Sequence, residues 1–149
     1  MAELNLPTLP CMCANFRRAS RAITQLYEKA IRPYGLRATQ LTILQVLSRA
    51  GDLPQGKLGE ILAMDSTSLT RTLAIMRRNG WVAYRRGEDK RERWVCFAPG
   101  GKVQLRRVEP AWEKAQSQLR RQLGDRDWNN FLEFTRQVTS IATTQGGSR

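Results

Sequence analysis

Arginine and hydroxyl side chains are concentrated in two neighbouring segments near the middle of the chain. The first segment is Ser66–Arg78, and the second is Trp81–Phe97, in which two apolar runs flank a highly charged turn. Arginine binds phosphate oxygens and can donate two hydrogen bonds to one guanine, and short hydroxyl side chains also bind phosphates. The chemistry that these residue types could perform is therefore the binding of a polyanion.

Residue types that serve in catalysis or metal binding are scarce by comparison. The sequence contains no histidine, so neither a Ser–His nor a Cys–His nucleophile pair can form. A zinc site would need all three cysteines and a carboxylate, although Cys11 and Cys13 are more than eighty residues away from Cys96. An odd number of cysteines without an export signal also argues against a disulfide framework. We therefore predict that the protein is not an enzyme and that it binds no metal and no cofactor.

The composition of the whole chain indicates a folded protein with an anionic partner. The 149 residues suffice for one domain, or for one domain with an appended element, and 41% of them are hydrophobic. The formal net charge of +12 favours nucleic acid, an anionic membrane surface or an acidic protein as the partner. No apolar run approaches the roughly 18 residues of a membrane span, and residues 1–10 lack the features of a signal peptide. We therefore expect a cytoplasmic protein without a membrane partner.

The arginine-rich segments must be positioned by the helices and strands that the apolar spacing predicts. The first two predicted helices are Pro10–Pro33 and Thr39–Gly51. The third is a short helix with Pro54 at its first position. The fourth is capped by Asp65 or Ser66 and ends at Asn79–Gly80. Two strands joined around Gly87–Lys90 follow the fourth helix. The predicted fold class is therefore mainly α with a small β-hairpin wing, in the order of a winged helix-turn-helix.

Two further helices are predicted after Pro99–Gly101. The first should end at Gly124 and be kinked or restarted at Pro110, and the second should be capped by Asp125. A winged helix is complete without the terminal helices, so their apolar stripes must be buried elsewhere, most simply in a subunit interface. We therefore assign residues 10–34 and 100–145 to a helical dimerisation region and residues 36–99 to a winged helix-turn-helix DNA-binding region.

The fourth predicted helix has two chemically different faces. At about 100° per residue one face carries Leu69, Thr72, Leu73 and Met76, and the opposite face carries Thr67, Arg71, Ala74 and Arg78. The second face suits a DNA major groove, because small side chains permit close approach and arginine can bond guanine. The competing interpretation is a solvated basic helix face. The candidate DNA contacts on this helix are Ser66, Thr67, Ser68, Thr70, Arg71 and Arg78. Those on the hairpin are Arg85, Arg86, Lys90, Arg91 and Arg93, which we expect to contact phosphates or the minor groove.

The hairpin resembles the wing signature of the MarR family of bacterial regulators, in which an Asp and an Arg two residues later precede a Leu-Thr-Pro-like segment. The corresponding stretches here are Asp89-Lys90-Arg91 and Phe97–Gly100. Three further segments also look like that family, so the resemblance extends over nearly the whole chain: Gly35–Leu44, Leu69–Arg71 and Gly80–Val82. The resemblance implies a winged helix-turn-helix regulator that forms a homodimer through its first and last helices.

The resemblance also implies roles for two residues of the wing. Asp89 would brace the wing, and Arg91 would enter the minor groove of DNA. Phe97-Ala98 stands where the family has Leu-Thr, and Ala98 cannot cap the following helix as a threonine would. This departure bears on the local geometry of the wing.

Cys13 offers a second kind of chemistry near the start of the first predicted helix, where the helix dipole favours a thiolate. By position it matches the reactive cysteine of the organic-hydroperoxide-sensing branch of the MarR family, and Tyr27 matches one tyrosine that supports that cysteine. The other supporting tyrosines would fall near Arg17 and Ala38, where they are absent. The alternative interpretation is that Cys13 is a small buried hydrophobic residue.

The remaining cysteines are given structural interpretations. Cys11 and Cys13 would project roughly 200° apart on one helix, which disfavours a disulfide between them. Cys96 alternates with Val95 and Phe97 in a predicted strand and is expected to pack there.

A small aromatic or phenolic acid is the competing effector. The resemblance implies that such a ligand binds in a cleft between the dimer helices and the DNA-binding region. The loose candidates for its contacts are Arg17, Arg18, Arg21 and Tyr34.

The leading functional hypothesis is a homodimeric regulator that binds a near-palindromic operator in double-stranded DNA. It would act as a repressor that is released by a small aromatic ligand or by thiol oxidation. The second hypothesis is a non-specific architectural protein that binds nucleic acid, including RNA, through the same charge. An enzyme ranks third, because no phosphate loop and no nucleophile constellation is visible in the sequence.

Overall fold

The computed structural model describes residues 6–89 and 91–146, and its elements follow the predicted order. The α-helices are α1 Met12–Ile31, α2 Ala38–Ala50, α3 Gln55–Leu62, α4 Ser66–Arg78, α5 Pro99–Leu123 and α6 Asp125–Gly146. The strands are β1 Leu53–Pro54, β2 Val82–Arg86 and β3 Arg93–Phe97, and a 3-10 turn, Arg32–Tyr34, follows α1. The mainly helical winged-helix fold is therefore confirmed. Within the described residues, no helix combines the length and the apolar character needed to cross a membrane.

One apolar core holds α4 and the hairpin in a fixed relation. Helix α4 contributes Leu73 and Met76, the sheet contributes Val82 and Val95, and all four are almost fully buried. Burial of one such side chain stabilises the fold by about 1.5–3 kcal/mol relative to an exposed position. The core is completed by Ile31, Leu36, Leu41, Ile43, Leu44, Leu47, Leu58, Leu69, Leu105 and Val108.

The sheet has three antiparallel strands, in the order β1-β3-β2, where the sequence predicted a two-stranded hairpin. The additional strand pairs Leu53 with Val95 and Pro54 with Trp94. Pro54 was predicted as the first helical residue, but it precedes α3 in an extended conformation, with φ −54° and ψ 137°. A two-residue strand has too few positions to show an alternating pattern, and proline is tolerated in it because the strand lies at the sheet edge.

Helix α5 continues through Pro110, so of the two predicted alternatives at this residue, a kink or a restart of the helix, the restart is wrong. Proline removes one helical hydrogen bond, but Val108 before it and Ala115 after it are both buried. Pro110 itself is exposed, and packing on either side of it keeps the helix continuous.

The boundary between α5 and α6 lies one residue away from the prediction. Asp125 is the first residue of α6 and not its cap, because Trp128 N donates to the carbonyl of Gly124 (3.0 Å). The carboxylate of Asp125 instead accepts from Arg120 Nε at 2.7 Å. The ion pair therefore joins the last turn of α5 to the first turn of α6.

The terminal helices pack against one another. Phe16 of α1 stacks on Phe134 of α6, with ring centroids 6.1 Å apart, and the Tyr27 hydroxyl donates to Gln116 Oε1 of α5. Even so, no side chain of residues 125–145 is fully buried in this chain. Most of the apolar surface of α6 is therefore not covered by the rest of the protomer.

The N-terminus of α5 lies directly on the turn that precedes β2. Ala98 caps α5 without a side-chain hydrogen bond, as expected, and its N–H donates to the carbonyl of Trp81 (3.3 Å). A Cβ atom on Gly100 would lie 2.4 Å from Gly80 O, and one on Gly101 would lie 2.2 Å from Trp81 O. Only glycine permits this approach of two backbones, which joins the root of the wing to α5.

We expect Gly101→Ala to destabilise the fold, because its methyl group must displace the Trp81 carbonyl. The expected loss in free energy of unfolding is about 1–3 kcal/mol, as for other overpacked positions. The matched control is Gly56→Ala on α3, where an added Cβ meets no atom within 4 Å. That variant should gain up to about 1 kcal/mol from helix propensity. Urea denaturation measures both changes, and equal stability of the two variants would contradict the close approach.

Candidate nucleic-acid interface

A tight turn between α3 and α4 sets the direction of α4. Ala63 has a positive φ of 49°, and its N–H donates to Glu60 O at 3.2 Å. Asp65 then caps α4, because its Oδ1 accepts from Ser68 N at 2.8 Å. The pKa of the Asp65 carboxyl is lowered by this hydrogen bond from the Ser68 backbone. Of the two predicted caps, the structure therefore uses Asp65.

Helix α4 presents the two faces that its periodicity predicts. Leu69, Leu73 and Met76 are buried, and Thr72 is half-buried with its hydroxyl donating to Ser68 O at 3.0 Å. The predicted contact residues of the opposite face are all exposed: Ser66, Thr67, Ser68, Thr70, Arg71 and Arg78. The helix therefore offers a short, polar and basic surface to a partner.

Gln55 is a residue of this surface that the sequence reasoning missed. It is the first residue of α3, and its Nε2 donates to Thr70 Oγ1 at 3.0 Å. Because an oxygen lone pair of Thr70 is used in this bond, its hydroxyl hydrogen remains available for an outside acceptor. The only sign of this contact in the sequence is that a polar residue, Gln55, begins α3, the first helix of the helix-turn-helix.

The strand register divides the wing arginines between two faces of the sheet. Arg86 lies opposite Arg93 and shares a face with Val82 and Val95, which point into the core. Arg85 points to the other face, where its guanidinium lies 4.1 Å from the Trp94 ring centroid. The candidate arginines of the hairpin therefore do not form one group.

Asp52 occupies the Arg85 face. Its carboxylate lies 3.5 Å from Arg85 Nε and accepts from Phe97 N at 3.1 Å. Burial raises the pKa of Asp52, but hydrogen bonds from Phe97, Cys96 and Arg85 together hold it below its ordinary value. Burial, followed by the hydrogen bond to Asp52, raises the pKa of the Cys96 thiol. Cys96 is half-buried, which agrees with its expected packing role, and it is not placed to act as a thiolate.

The tip of the wing is held by Asp89. Its Oδ1 accepts from Arg91 N at 3.0 Å, and its carbonyl accepts from Glu92 N at 2.9 Å. The Glu92 carboxylate accepts from Trp94 Nε1 at 2.8 Å. These contacts support the bracing role implied for Asp89, and they leave the side chain of Arg91 exposed. The candidate Lys90 lies outside the described residues.

A cleft between α4 and the hairpin brings arginines of both elements together. Arg71, Arg77 and Arg78 line it from α4, and Arg93 lines it from β3. Thr70, Ala74, Ile75 and Tyr84 complete its lining, so none of the described residues that line it is acidic. Arg77 was not among the DNA contacts that the sequence predicted. Its part in the cleft depends on the position of β2.

The arginines of this surface are not paired with carboxylates. The salt bridges among the described residues are Arg37–Glu28, Lys57–Glu60, Arg85–Asp52, Arg120–Asp125 and Arg136–Glu133. None of these pairs includes Arg71, Arg77, Arg78, Arg86, Arg91 or Arg93. Unpaired cations in a shared cleft favour an anionic ligand with several charges.

The structure places Cys13 at the surface, so its interpretation as a small buried hydrophobic residue is wrong for this chain. Cys11 is also exposed and precedes α1 in an extended conformation, with φ −107° and ψ 129°. The angular separation expected from a helix therefore does not apply to this pair. Tyr27 lies 14 residues after Cys13 on α1, about 21 Å along its axis. Within one chain, Tyr27 is too far away to support Cys13.

The candidate effector contacts do not form a cluster. Arg17 and Arg21 are exposed on α1, whereas Arg18 donates to Pro7 O at 2.9 Å. Tyr34 lies beyond the C-terminal end of the same helix, and its carbonyl accepts from Gln104 Nε2. The length of α1 separates Tyr34 from the three arginines.

Known proteins share this architecture. A sequence profile of the MarR family matches residues 34–92. The transcriptional regulator MosR of M. tuberculosis, crystallised with DNA, is 30% identical, with a TM-score of 0.81 over 90% of this chain and 97% of MosR. The HTH-type transcriptional regulator YwoH of Bacillus subtilis is 27% identical over 80% of this chain and 87% of YwoH. A mutant of E. coli MarR with operator DNA shares the fold at 19% identity, with a TM-score of 0.76 over 85% of this chain and 92% of that protein.

The fold and the basic cleft define a winged-helix protein of the class of DNA-binding transcriptional regulators. Within that class, the chain belongs to the MarR family. The resemblance of its wing, recognition helix and preceding segments to that family is thereby confirmed.

The cap of α4 makes a prediction about pH. The pKa of Asp65 is lower in the folded chain than its unfolded value of about 4, so the ionised cap stabilises the fold above that pH. This stabilisation is lost as the pH falls through the folded pKa. Asp65→Asn retains a capping oxygen but does not titrate, so the wild type should be more stable than the variant near neutral pH. The difference should vanish in acid, which urea denaturation measures, and a difference independent of pH would contradict it.

Proposed function

We propose that the protein is a homodimeric repressor that recognises a near-palindromic operator in double-stranded DNA and is released by an effector. The observation that carries this proposal is the cleft between α4 and the wing, which is lined by Arg71, Arg77, Arg78 and Arg93 without an acidic residue. A helix that bears small polar side chains suits a major groove, and the basic hairpin beside it suits the neighbouring minor groove.

Each element of the surface has a separate task in this proposal. Thr70 and Arg71 face the base edges, and the hydroxyls of residues 66–68 at the N-terminus of α4 face phosphates. Arg91 at the wing tip enters the minor groove, with Arg86 and Lys90 near the backbone. Arg85 contributes least, because Asp52 neutralises it on the other face of the sheet.

The relatives of the chain support binding to DNA. MosR, which is 30% identical, was crystallised in complex with DNA, and a MarR mutant of the same fold was crystallised with operator DNA. In both comparisons the similarity extends well beyond the winged helix, since at least 85% of this chain is matched.

The uncovered surface of the terminal helices supports a homodimer. Helix α6 has 22 residues, of which residues 125–145 include no fully buried side chain, and a helix needs an apolar face packed on a partner to be stable. Exposed large apolar side chains outside the winged helix are Leu6, Met12, Leu26, Val103, Leu123, Phe131, Leu132, Phe134 and Ile141. A second copy would cover them and place two α4 helices on successive major grooves, about 10 base pairs apart.

The proposal is tested with fragmented genomic DNA of the host, incubated with the protein at near-physiological salt and sequenced after retention. Wild type should enrich a two-fold-symmetric motif. Arg71→Ala should weaken binding to that motif by about 1–3 kcal/mol and relax the preference at the contacted base pair. The control is Arg121→Ala, which also removes one positive charge. Arg121 lies about 30 Å along α5 from Gly101, the residue that contacts the root of the wing, so this variant should bind DNA as the wild type does. Uniform retention by wild type would favour the non-specific architectural protein.

Two effectors have structural support. Cys11 and Cys13 are exposed at the start of α1, where an organic hydroperoxide has access to their thiol groups. An aromatic carboxylate would find Phe97, Lys102 and Arg106 in a cleft between α2 and α5, but Asp52 and Glu109 line the same cleft and would repel it. We favour oxidation, in which the Cys13 sulfur attacks the terminal oxygen of the hydroperoxide and the O–O bond breaks. The proton of the thiol passes to the leaving alkoxide, so that a sulfenic acid and an alcohol are formed.

We expect cumene hydroperoxide to release the wild-type protein from its enriched motif and to leave Cys13→Ser bound. Substitution of the half-buried thiol, Cys96→Ser, is the control and should leave the response to peroxide intact. Fluorescence anisotropy with the labelled motif measures release, and dithiothreitol should restore binding. Release of Cys13→Ser by peroxide would contradict the role of this thiol. Release of the wild type by salicylate alone would instead favour the aromatic ligand.

A further inference from the structure

Tyr84 of β2 lies between a guanidinium of the helix and one of the wing. Arg77 Cζ is 5.6 Å from the centroid of the Tyr84 ring, and Arg93 Cζ is 4.9 Å from it. Both distances are within the range of cation–π contact. Tyr84 is half-buried, packs against the core and faces the same side of the sheet as Arg93. The ring therefore has a fixed position from which it contacts one cation on each element.

The two guanidiniums contact the same aromatic ring although they repel each other. Neither Arg77 nor Arg93 takes part in a salt bridge among the described residues, and no acidic residue lines the cleft that they share with Arg71 and Arg78. Glu92 lines an adjoining cleft that also contains both arginines, and its carboxylate accepts from Trp94 Nε1. The negative face of one aromatic ring offsets part of the repulsion and lowers the rotational freedom of both side chains. An anion that bridges the two cations would complete the group.

The position of Arg77 on α4 decides which part of DNA it can reach. It is the penultimate residue of the helix, whereas recognition helices contact base edges through their N-terminal residues. Residues of the last turn lie nearer to the DNA backbone than to the bases. Phosphates of one strand succeed one another every 3.4 Å along the duplex axis, so two converging cations can hold neighbouring phosphates.

We infer that Arg77 and Arg93 form a phosphate clamp on the DNA backbone between the major and minor grooves, and that Tyr84 is the positioning residue that aligns both guanidiniums. This inference rests on the DNA-binding function proposed above. The clamp binds any DNA sequence, and it fixes the register of α4 relative to the wing. The ring of Tyr84 performs this task, and its hydroxyl group is not required.

The test uses the full-length protein and compares Tyr84→Leu with Tyr84→Phe on a labelled operator and on a duplex of unrelated sequence. Tyr84→Leu should weaken both complexes by about ten-fold, which is within the strength of two cation–π contacts. It should also reduce the slope of log affinity against log salt, although the net charge of the protein is unchanged. Tyr84→Phe should keep the affinity and slope of the wild type. Loss of binding to the operator alone would overturn a backbone clamp.

A second variant keeps the inference testable if Tyr84→Leu fails to fold, as judged by thermal unfolding. Arg77→Gln removes one phosphate contact per protomer and should reduce the salt slope by about two in a dimer. Arg121→Gln is the charge-matched control and should leave the slope unchanged. An unaltered slope for Arg77→Gln, or for a folded Tyr84→Leu, would overturn the clamp. Absence of DNA binding by the wild type would instead overturn the proposed function itself.

Discussion

The apolar core shared by α4 and the hairpin is the constraint on which the candidate interface depends. Met76 closes one side of it, Val82 and Val95 close the other, and the carbonyl of Met76 also accepts from Trp81 N at 2.9 Å. The glycines at the start of α5 lock the same turn from the opposite side, since their lack of Cβ atoms permits backbone contact. Because these contacts leave little freedom between helix and wing, the side chains above them form one cleft.

The electrostatics of the protein follow from that constraint. A rigid core can hold several arginines close together, whereas flexible elements would separate like charges. Carboxylates that could neutralise the cleft are engaged elsewhere: Asp65 caps α4, Asp89 braces the wing tip, and Glu92 accepts from Trp94. The fold thus keeps these three acidic groups on backbone and indole donors. Its excess positive charge stays available to a partner.

The terminal helices are covered only in part by contacts within one chain. Helix α1 is tied to α5 through Tyr27 and Gln116 and to α6 through two stacked phenylalanine rings. Those contacts leave the greater part of α6 uncovered, and a helix of this length is marginal without a packed face. In the proposed homodimer a second copy of the chain covers this surface, and the terminal helices, of which α1 carries Cys13, set the distance between the two α4 helices.

The sequence by itself determined the order of the helices and of the hairpin strands and the two faces of α4, because helical periodicity and turn residues are local properties of the chain. It also indicated the family, through the resemblance of its wing and helix segments to MarR regulators. It could not predict β1, whose two residues form a strand only through pairing with β3. The alternation of side chains along β2 predicts that Arg85 and Arg86 lie on opposite faces of the sheet, but not which face packs on the core. Only the packed sheet decided that Arg86 shares the face of Val82 and Val95. The same holds for Arg77, Tyr84 and Gln55, whose partners lie on other elements. Tertiary structure decided these contacts, since they depend on distances between elements that no local pattern encodes.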